Sequence, residues 1–462
     1  MVFFAEMPGM IEELYKTFTE RALFAACLFI LAGSIYISVK TKFVQVRSIP
    51  FLSQGLKKAF LKRNEGEGEG KHTLSSGRAL FTAMSTTLGI STLVGPVIAI
   101  QLGGPGALFG FVLTSFLGGA VTYVEVCLGV KFREKLENGK IMGGPMQYLK
   151  HLFSPRSAKF YALGCMILMM GWSAAQANQF AVVLSSPAFG AFQIPPLYSG
   201  IGLVVFVMLI LLGGVKRIGS LSAKLVPLMF ILYVGSSLWI ILLNLGRMGT
   251  VINTIMHSVF SPYCMASGAL VGGVVSALRW GIFKGVQTTE AGVGTQTIPH
   301  SLTESTDPKT QGVLAILATF SAGSLAFLSG CVALITNTWQ DPANSLGMGM
   351  VIASYEQYFS FAGAVIVALS ALLFGLGTIL GNAFNGAQCY EYLTRNRRTR
   401  YYFSAMSLII FLGAIGEAGT VWGAVDILLA LIAVPHMAAL LLAVRRSPEM
   451  FAIEFTPVRE GS

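Results

Sequence analysis

The sequence predicts an all-α membrane protein of eleven transmembrane helices, and three observations predict it. Only 11% of the 462 residues are charged and 54% are hydrophobic, where a water-soluble domain carries about 25% charge. So few charges cannot coat a water-facing surface of this size, so lipid must cover much of the outside. Apolar runs recur near the roughly 20 residues a helix needs to cross a bilayer. Lys and Arg fall almost wholly on one side of the topology those runs define.

The runs lie near 21–38, 79–101, 106–130, 160–184, 196–213, 223–244, 267–298, 311–335, 361–392, 402–416 and 421–444. An acidic N-terminus (Glu6, Glu12, Glu13, Glu20) precedes the first. It lacks the basic start of a signal peptide, so Cys27 is read as membrane core. A basic loop follows, ending in alternating Glu and Gly over 65–70, which cannot build a core and reads as a linker. The second and seventh runs are interrupted, and they carry most of the functional argument. The fourth holds Gln176 at mid-depth, the third Glu125, the ninth Thr378 and Asn382.

Orientation follows from charge. With the N-terminus outside, the loops 39–78, 131–159, 214–224, 299–310, 393–401 and the tail from 445 face inward. They hold 27 of the 32 Lys and Arg. Lys16, Arg21 and Arg247 lie outside, and Arg279 and Lys284 sit in the seventh run. Basic residues mark the cytoplasmic side, and adding or dropping a run scrambles the alternation. The net charge of +11 therefore reads as cytoplasmic loops and not as a nucleic-acid surface. Cys27, Cys127, Cys165, Cys264, Cys331 and Cys389 are dispersed, as are His72, His151, His257, His300 and His436. Neither set has metal-ligand spacing. No hydrolase motif occurs, so neither an enzyme nor a cofactor is expected.

The second run contains Gly89-Ile90-Ser91-Thr92-Leu93-Val94-Gly95-Pro96 and the seventh Gly285-Val286-Gln287-Thr288-Thr289-Glu290-Ala291-Gly292-Val293-Gly294. Glycine and proline weaken a helix and free backbone groups. In hydrocarbon such groups persist only where protein or a bound solute satisfies them. Two breaks five runs apart fit the first helices of two five-helix repeats, which form a transporter signature. The expected division is 1–78 (first helix and basic loop), 79–244 (first repeat, broken near 89–95), 245–444 (second repeat, broken near 285–294) and 445–462 (tail). Half-helix N-termini attract a carboxylate and freed carbonyls a cation, so an amino acid and a monovalent cation are the expected ligands. The other reading of these glycines is helix packing.

From about 77 to 444 the chain resembles the alanine or glycine:cation symporter family. Its markers are Leu102-Gly103-Gly104-Pro105-Gly106-Ala107, Val130-Lys131-Phe132-Arg133-Glu134, Gly143-Gly144-Pro145-Met146, Gln176-Ala177-Asn178, Gly214-Val215-Lys216-Arg217-Ile218-Gly219, Lys224-Leu225-Val226-Pro227, Glu290-Ala291-Gly292 and Val421-Trp422. The resemblance implies the amino-acid–sodium symporter fold of two inverted five-helix repeats, with one extra N-terminal helix. It implies import of alanine or glycine with sodium or protons across a bacterial inner membrane. The chain departs from the family at Ser91-Thr92, Gln287-Thr288-Thr289, Gly377, Asn382 and Ala322. Gln287 and Asn382 put amides where the family has aromatics, which predicts a more polar or larger substrate side chain.

The residues expected to act follow. Gly89, Ile90, Ser91 and Thr92 take the substrate carboxylate. Gln176 and the backbone of Gln287, Thr288 and Thr289 take its ammonium, and Gln287 and Asn382 read its side chain. Gln176 has a plainer alternative, a bond to Asn178 or a neighbouring helix. Ser85, Leu88 and Thr378 bind the cation, unless Thr378 bonds its own helix. Thr92 and Thr289 are weaker candidates for a second ion. Glu125 and Glu290 are gating or proton groups, as intramembrane carboxylates are by default. Arg279 and Lys284 are candidate partners for Glu290. The competing readings are a proton-coupled or exchange carrier of a larger or polar amino acid, a channel, and a non-transporting receptor.

Overall fold

The computed structural model describes residues 2–52, 74–136, 139, 141–260, 274–341, 347–395 and 399–452. Cys264, the Glu-Gly linker and the start of the seventh run lie outside the described residues. In order, the α-helices of five residues or more are α1 (Val2–Lys40), α2 (Ser76–Thr87), α3 (Ile90–Gly103), α4 (Ala107–Lys131), α5 (Pro145–Leu152), α6 (Pro155–Leu184), α7 (Pro196–Leu211) and α8 (Gly214–Leu243). Then come α9 (Leu245–Phe260), α10 (Val274–Thr289), α11 (Thr297–Ser301), α12 (Pro308–Thr336), α13 (Met348–Phe359), α14 (Phe361–Thr394), α15 (Arg400–Ile415) and α16 (Ala418–Arg446). A two-stranded ribbon, β1 (Glu134–Lys135) with β2 (Ile141–Met142), precedes α5.

Among the described residues, eight helical stretches are long and apolar enough to cross a membrane. The chain is thus a multi-pass helical membrane protein. The shorter apolar helices α7 and α15 fall on the fifth and tenth runs, and the seventh run is divided between α10 and α11. Local chemistry starts these helices where the sequence asks. Ser154 and Asp307 cap α6 and α12 through side-chain oxygens, each followed by a proline at the first helical position. The Glu417 carboxylate caps α16 by accepting from Gly419 and Thr420 amides. Helices α9 and α13 lie in segments the hydropathy reading left as connections. In α9, Val251, Ile255 and Val259 are buried at a spacing of four, one face of a helix lying against its neighbours.

Packing places α2 and α3 at the centre. The apolar window of Ser76–Gly103 is wholly buried by protein, whereas half of that in Ala418–Arg446 and most of that in Ser220–Leu243 is not. Helix α4 packs on α10 and α12, and α6 packs on α14, α15 and α16. The entry to α2 is tied to the exit from α11 by main-chain bonds: Leu74 N donates to Leu302 O at 3.0 Å, and Glu304 N donates to Leu74 O at 3.3 Å. The two interrupted helices are thus joined at one end.

Candidate substrate and cation site

The first interruption is short. Helix α2 ends at Thr87, Leu88 and Gly89 are non-helical, and α3 restarts at Ile90 and runs through Gly95 and Pro96. A new helix start leaves N–H groups without intrahelical partners. One of them, Ile90 N, donates to Gln176 Oε1 of α6 at 2.7 Å. Gln176 therefore takes the plainer role of an interhelical bond, and to the break itself. Asn178 faces elsewhere, donating to Gly413 and Gly416 carbonyls.

Gly89 is required by close approach. A methyl group there would stand 2.5 Å from Thr378 Oγ1 and 3.1 Å from both amide atoms of Gln176. Thr378 Oγ1 donates to Ser85 O at 3.1 Å, across to α2 and not within its own helix. One turn along α14, Asn382 Nδ2 donates to Ser173 Oγ of α6 at 3.3 Å. Its Oδ1 is buried without a hydrogen-bond partner. The fold thus gathers Ser85, Leu88, Gly89, Ile90, Gln176, Thr378 and Asn382 from three separate parts of the chain. It presents carbonyl, hydroxyl and amide oxygens around one helix break.

The second interruption is longer. The expected break at 285–294 starts later: α10 persists through Gln287, Thr288 and Thr289, whose helix is not unwound, and Glu290 to Gln296 form the break before α11. Glu290 sits at φ +56°, the left-handed region a non-glycine residue seldom adopts. Its Oε2 accepts from the Thr295 hydroxyl across the break. Gln296 Nε2 donates to Thr289 O at 2.9 Å, capping the end of α10. Thr288 Oγ1 donates to Ser91 O at 3.3 Å, which joins the last turn of α10 to the first turn of α3.

Three expectations meet a different arrangement. Gln287, expected to read the substrate side chain, has its amide engaged: its Nε2 donates to Asp426 Oδ1 at 3.0 Å and its Oε1 accepts from Lys284 Nζ at 3.0 Å. Lys284 pairs with Asp426 at 3.2 Å and not with Glu290. Thr289 Oγ1 donates to Gly285 O within its own helix, the local bonding usual for a membrane threonine, whereas Thr92 Oγ1 donates back across the first break to Thr87 O at 3.1 Å. His436, for which the sequence indicated no role, is buried in α16, and its Nδ1 donates to Gly292 O in the second break at 2.8 Å. For Gln287 and Lys284 the reason is that an element distant in sequence supplies a partner that local reading cannot see. Asp426 and His436 were still visible as polar groups within the eleventh apolar run, the same signal that singled out Glu125.

Around this geometry the comparisons fall into place. The profile of the sodium:alanine symporter family matches residues 7–451. A sodium/alanine symporter of Methanococcus maripaludis is 31% identical, over 89% of this chain and 90% of that protein. A probable sodium/glutamine symporter of Bacillus subtilis is 26% identical, over 89% of this chain and 84% of that protein. Among solved structures, a sodium-coupled sialic acid symporter in a substrate-bound outward-open state superposes with TM-score 0.53 at 16% identity. It covers 92% of this chain and 86% of that one, a likeness of fold.

Proposed function

The chain belongs to the sodium:alanine symporter family, a transporter and not an enzyme, and from that premise we propose that it imports an amino acid together with sodium by alternating access. One observation carries the reading: the Leu88–Gly89 break abuts Gln176, which holds Ile90 N, and Thr378, which holds Ser85 O. Freed backbone at a helix break, ringed by neutral oxygens, suits a zwitterion and a monovalent cation. In this reading the start of α3 at Ser91 takes the carboxylate, Ile90 N being held by Gln176 Oε1, and that oxygen's second lone pair with the last carbonyls of α10 takes the ammonium. Ser85 O, Leu88 O and Thr378 Oγ1 ligate sodium.

The eleven crossings form one N-terminal helix plus two inverted repeats, 79–244 and 245–444. The protein lies in a bacterial inner membrane with its N-terminus outside and its C-terminus in the cytoplasm. Asn382 Oδ1, buried without a partner, favours a substrate whose side chain carries a hydrogen-bond donor. Gln287 adds nothing to that preference, because Lys284 and Asp426 already use its amide. A small neutral polar amino acid fits best, and the relative named for glutamine transport lends support.

Competition uptake in proteoliposomes over the twenty amino acids, with and without a sodium gradient, tests this. Saturable, sodium-stimulated uptake inhibited by polar neutral amino acids is expected. Alanine and glycine as the only strong competitors would refute the polar-substrate reading. Flux that does not saturate would favour a channel, and binding without uptake a receptor.

A further inference from the structure

We propose that the cavity between α7 and α8 binds the phosphate headgroup of an anionic membrane phospholipid, held by Arg217 and Lys224. This site needs the membrane-spanning fold and not the transport reading.

Two of the sequence markers, 214–219 and 224–227, have no part in the helix breaks. The fold brings them to one place. Helices α7 and α8 are joined through Leu212 and Gly213 alone, and a cavity of about 390 Å³ lies between them. Phe206, Leu209 and Ile210 line it from α7, and Arg217, Ser220, Leu221 and Lys224 from α8. Positions 217, 221 and 224 share one helical face, which sets the two cations about 10 Å apart along the axis. Among the described residues no carboxylate lines the cavity.

Arg217 is seated and not loose. Its Nη1 donates to Leu209 O at 3.0 Å, one of the carbonyls that a helix end leaves without an intrahelical partner. Its stem lies over Gly213, where a methyl group would stand 2.1 Å from Cδ. A guanidinium has five N–H donors, so this bond leaves four for phosphate oxygens, which suit its planar fork. Lys224 adds a second positive charge, and Ser220 a hydroxyl.

The apolar half of such a ligand is matched as well. Phe206 and Leu209 are half-exposed, and on α8 the face of Arg217 and Lys224 continues through Leu228 and Ile231, 53% and 74% exposed. Along one helix face the order is cation, cation, apolar, apolar, which is the order of headgroup and acyl chain. A soluble phosphate uses only the first half of that face. In the proposed orientation the turn is cytoplasmic, the side on which basic pockets between helices take anionic headgroups. Helix α8 also packs on α2 and α14, which carry Ser85 and Thr378, so the bound lipid braces an element beside the candidate cation site.

The test uses the full-length protein, purified and delipidated in an uncharged detergent. Dioleoylphosphatidylglycerol, dioleoylphosphatidylcholine and glycerol 3-phosphate are titrated separately, with bound lipid counted by native mass spectrometry and the unfolding temperature recorded. Phosphatidylglycerol is expected to be retained and to raise the unfolding temperature by roughly 2 °C or more, and the other two are not. Arg217→Gln/Lys224→Gln is expected to weaken phosphatidylglycerol binding by roughly tenfold or more. Arg156→Gln/Lys159→Gln, the same change of charge at exposed residues outside the cavity, should leave it unaltered. Lys224→Gln alone should also weaken it, and decides the matter should the double variant not fold. An equal response to phosphatidylcholine overturns the site, as does undiminished binding in Arg217→Gln/Lys224→Gln or equal loss in Arg156→Gln/Lys159→Gln. An equal response to glycerol 3-phosphate overturns the lipid and makes the cavity a site for free phosphate esters. None of these outcomes is read from uptake, so each leaves the transport reading standing.

Discussion

Lys284 Nζ lies 3.2 Å from both carboxylate oxygens of Asp426, between α10 and α16, and the two side chains are buried. Gln287 closes the triangle, accepting from the ammonium and donating to the carboxylate. The Trp422 ring lies 5.1 Å beneath the ammonium, where its π face adds attraction. The final helix thereby grips α10 one turn before the second break, and ten residues later His436 grips the break itself.

Removing one partner of such a pair strands a buried charge. Asp426→Asn should cost about 3–5 kcal/mol, read as a large fall in the unfolding temperature of the purified protein. The double variant Lys284→Met/Asp426→Leu should recover most of it, since well-packed apolar replacements of buried pairs are often neutral. Equal loss in the single and double variants would count against the pair.

At the first break, space decides. Gly89→Ala places a methyl against Thr378 Oγ1 and Gln176, and overpacking of this kind costs roughly 1–3 kcal/mol where the neighbours give way. Uptake should fall steeply. Gly202→Ala, on α7 with nothing within 4 Å, should transport normally. Equal uptake by both variants would remove Gly89 from the site.

The Thr378 hydroxyl meets Ser85 O at 3.1 Å. Thr378→Val, nearly the same in shape but without that oxygen, should raise the sodium concentration needed for half-maximal uptake by about tenfold, roughly one lost hydrogen bond to a charged group. Thr378→Ser should restore it. An unchanged sodium dependence in Thr378→Val would place the ion elsewhere.

Outside the membrane, Glu134 is partly buried, which pushes its carboxyl up. The hydrogen bonds and charges of Lys150 at 2.8 Å and His151 at 2.9 Å outweigh this and hold it below the usual range. A carboxyl depressed on folding stabilises above its unfolded value of about 4.3, and that contribution fades as pH falls through the folded value. Glu134→Gln should therefore be less stable than the unmodified protein at pH near 7. The two melting temperatures should converge below about pH 4. A gap that persists in acid would show that the effect is not electrostatic.

The sequence by itself determined the membrane class, the positions of the long apolar helices, the first interruption and the residues around it, and the presence but not the start of the second. Each is a local property: hydropathy over a run, glycine within a helix, an amide at mid-depth. Ser85, Gly89, Gln176 and Thr378 were legible because a buried polar group in hydrocarbon needs a partner wherever it sits. Partner identity was not legible. Lys284 and Asp426 are 142 positions apart, and Gly292 and His436 are 144 apart. No periodicity links them, and only the tertiary fold, which seats α16 against α6 and α1, brings them into range. The tertiary structure alone decided that Gln287 is committed and Asn382 Oδ1 is not, because satisfaction depends on which neighbour arrives first with a matching donor or acceptor.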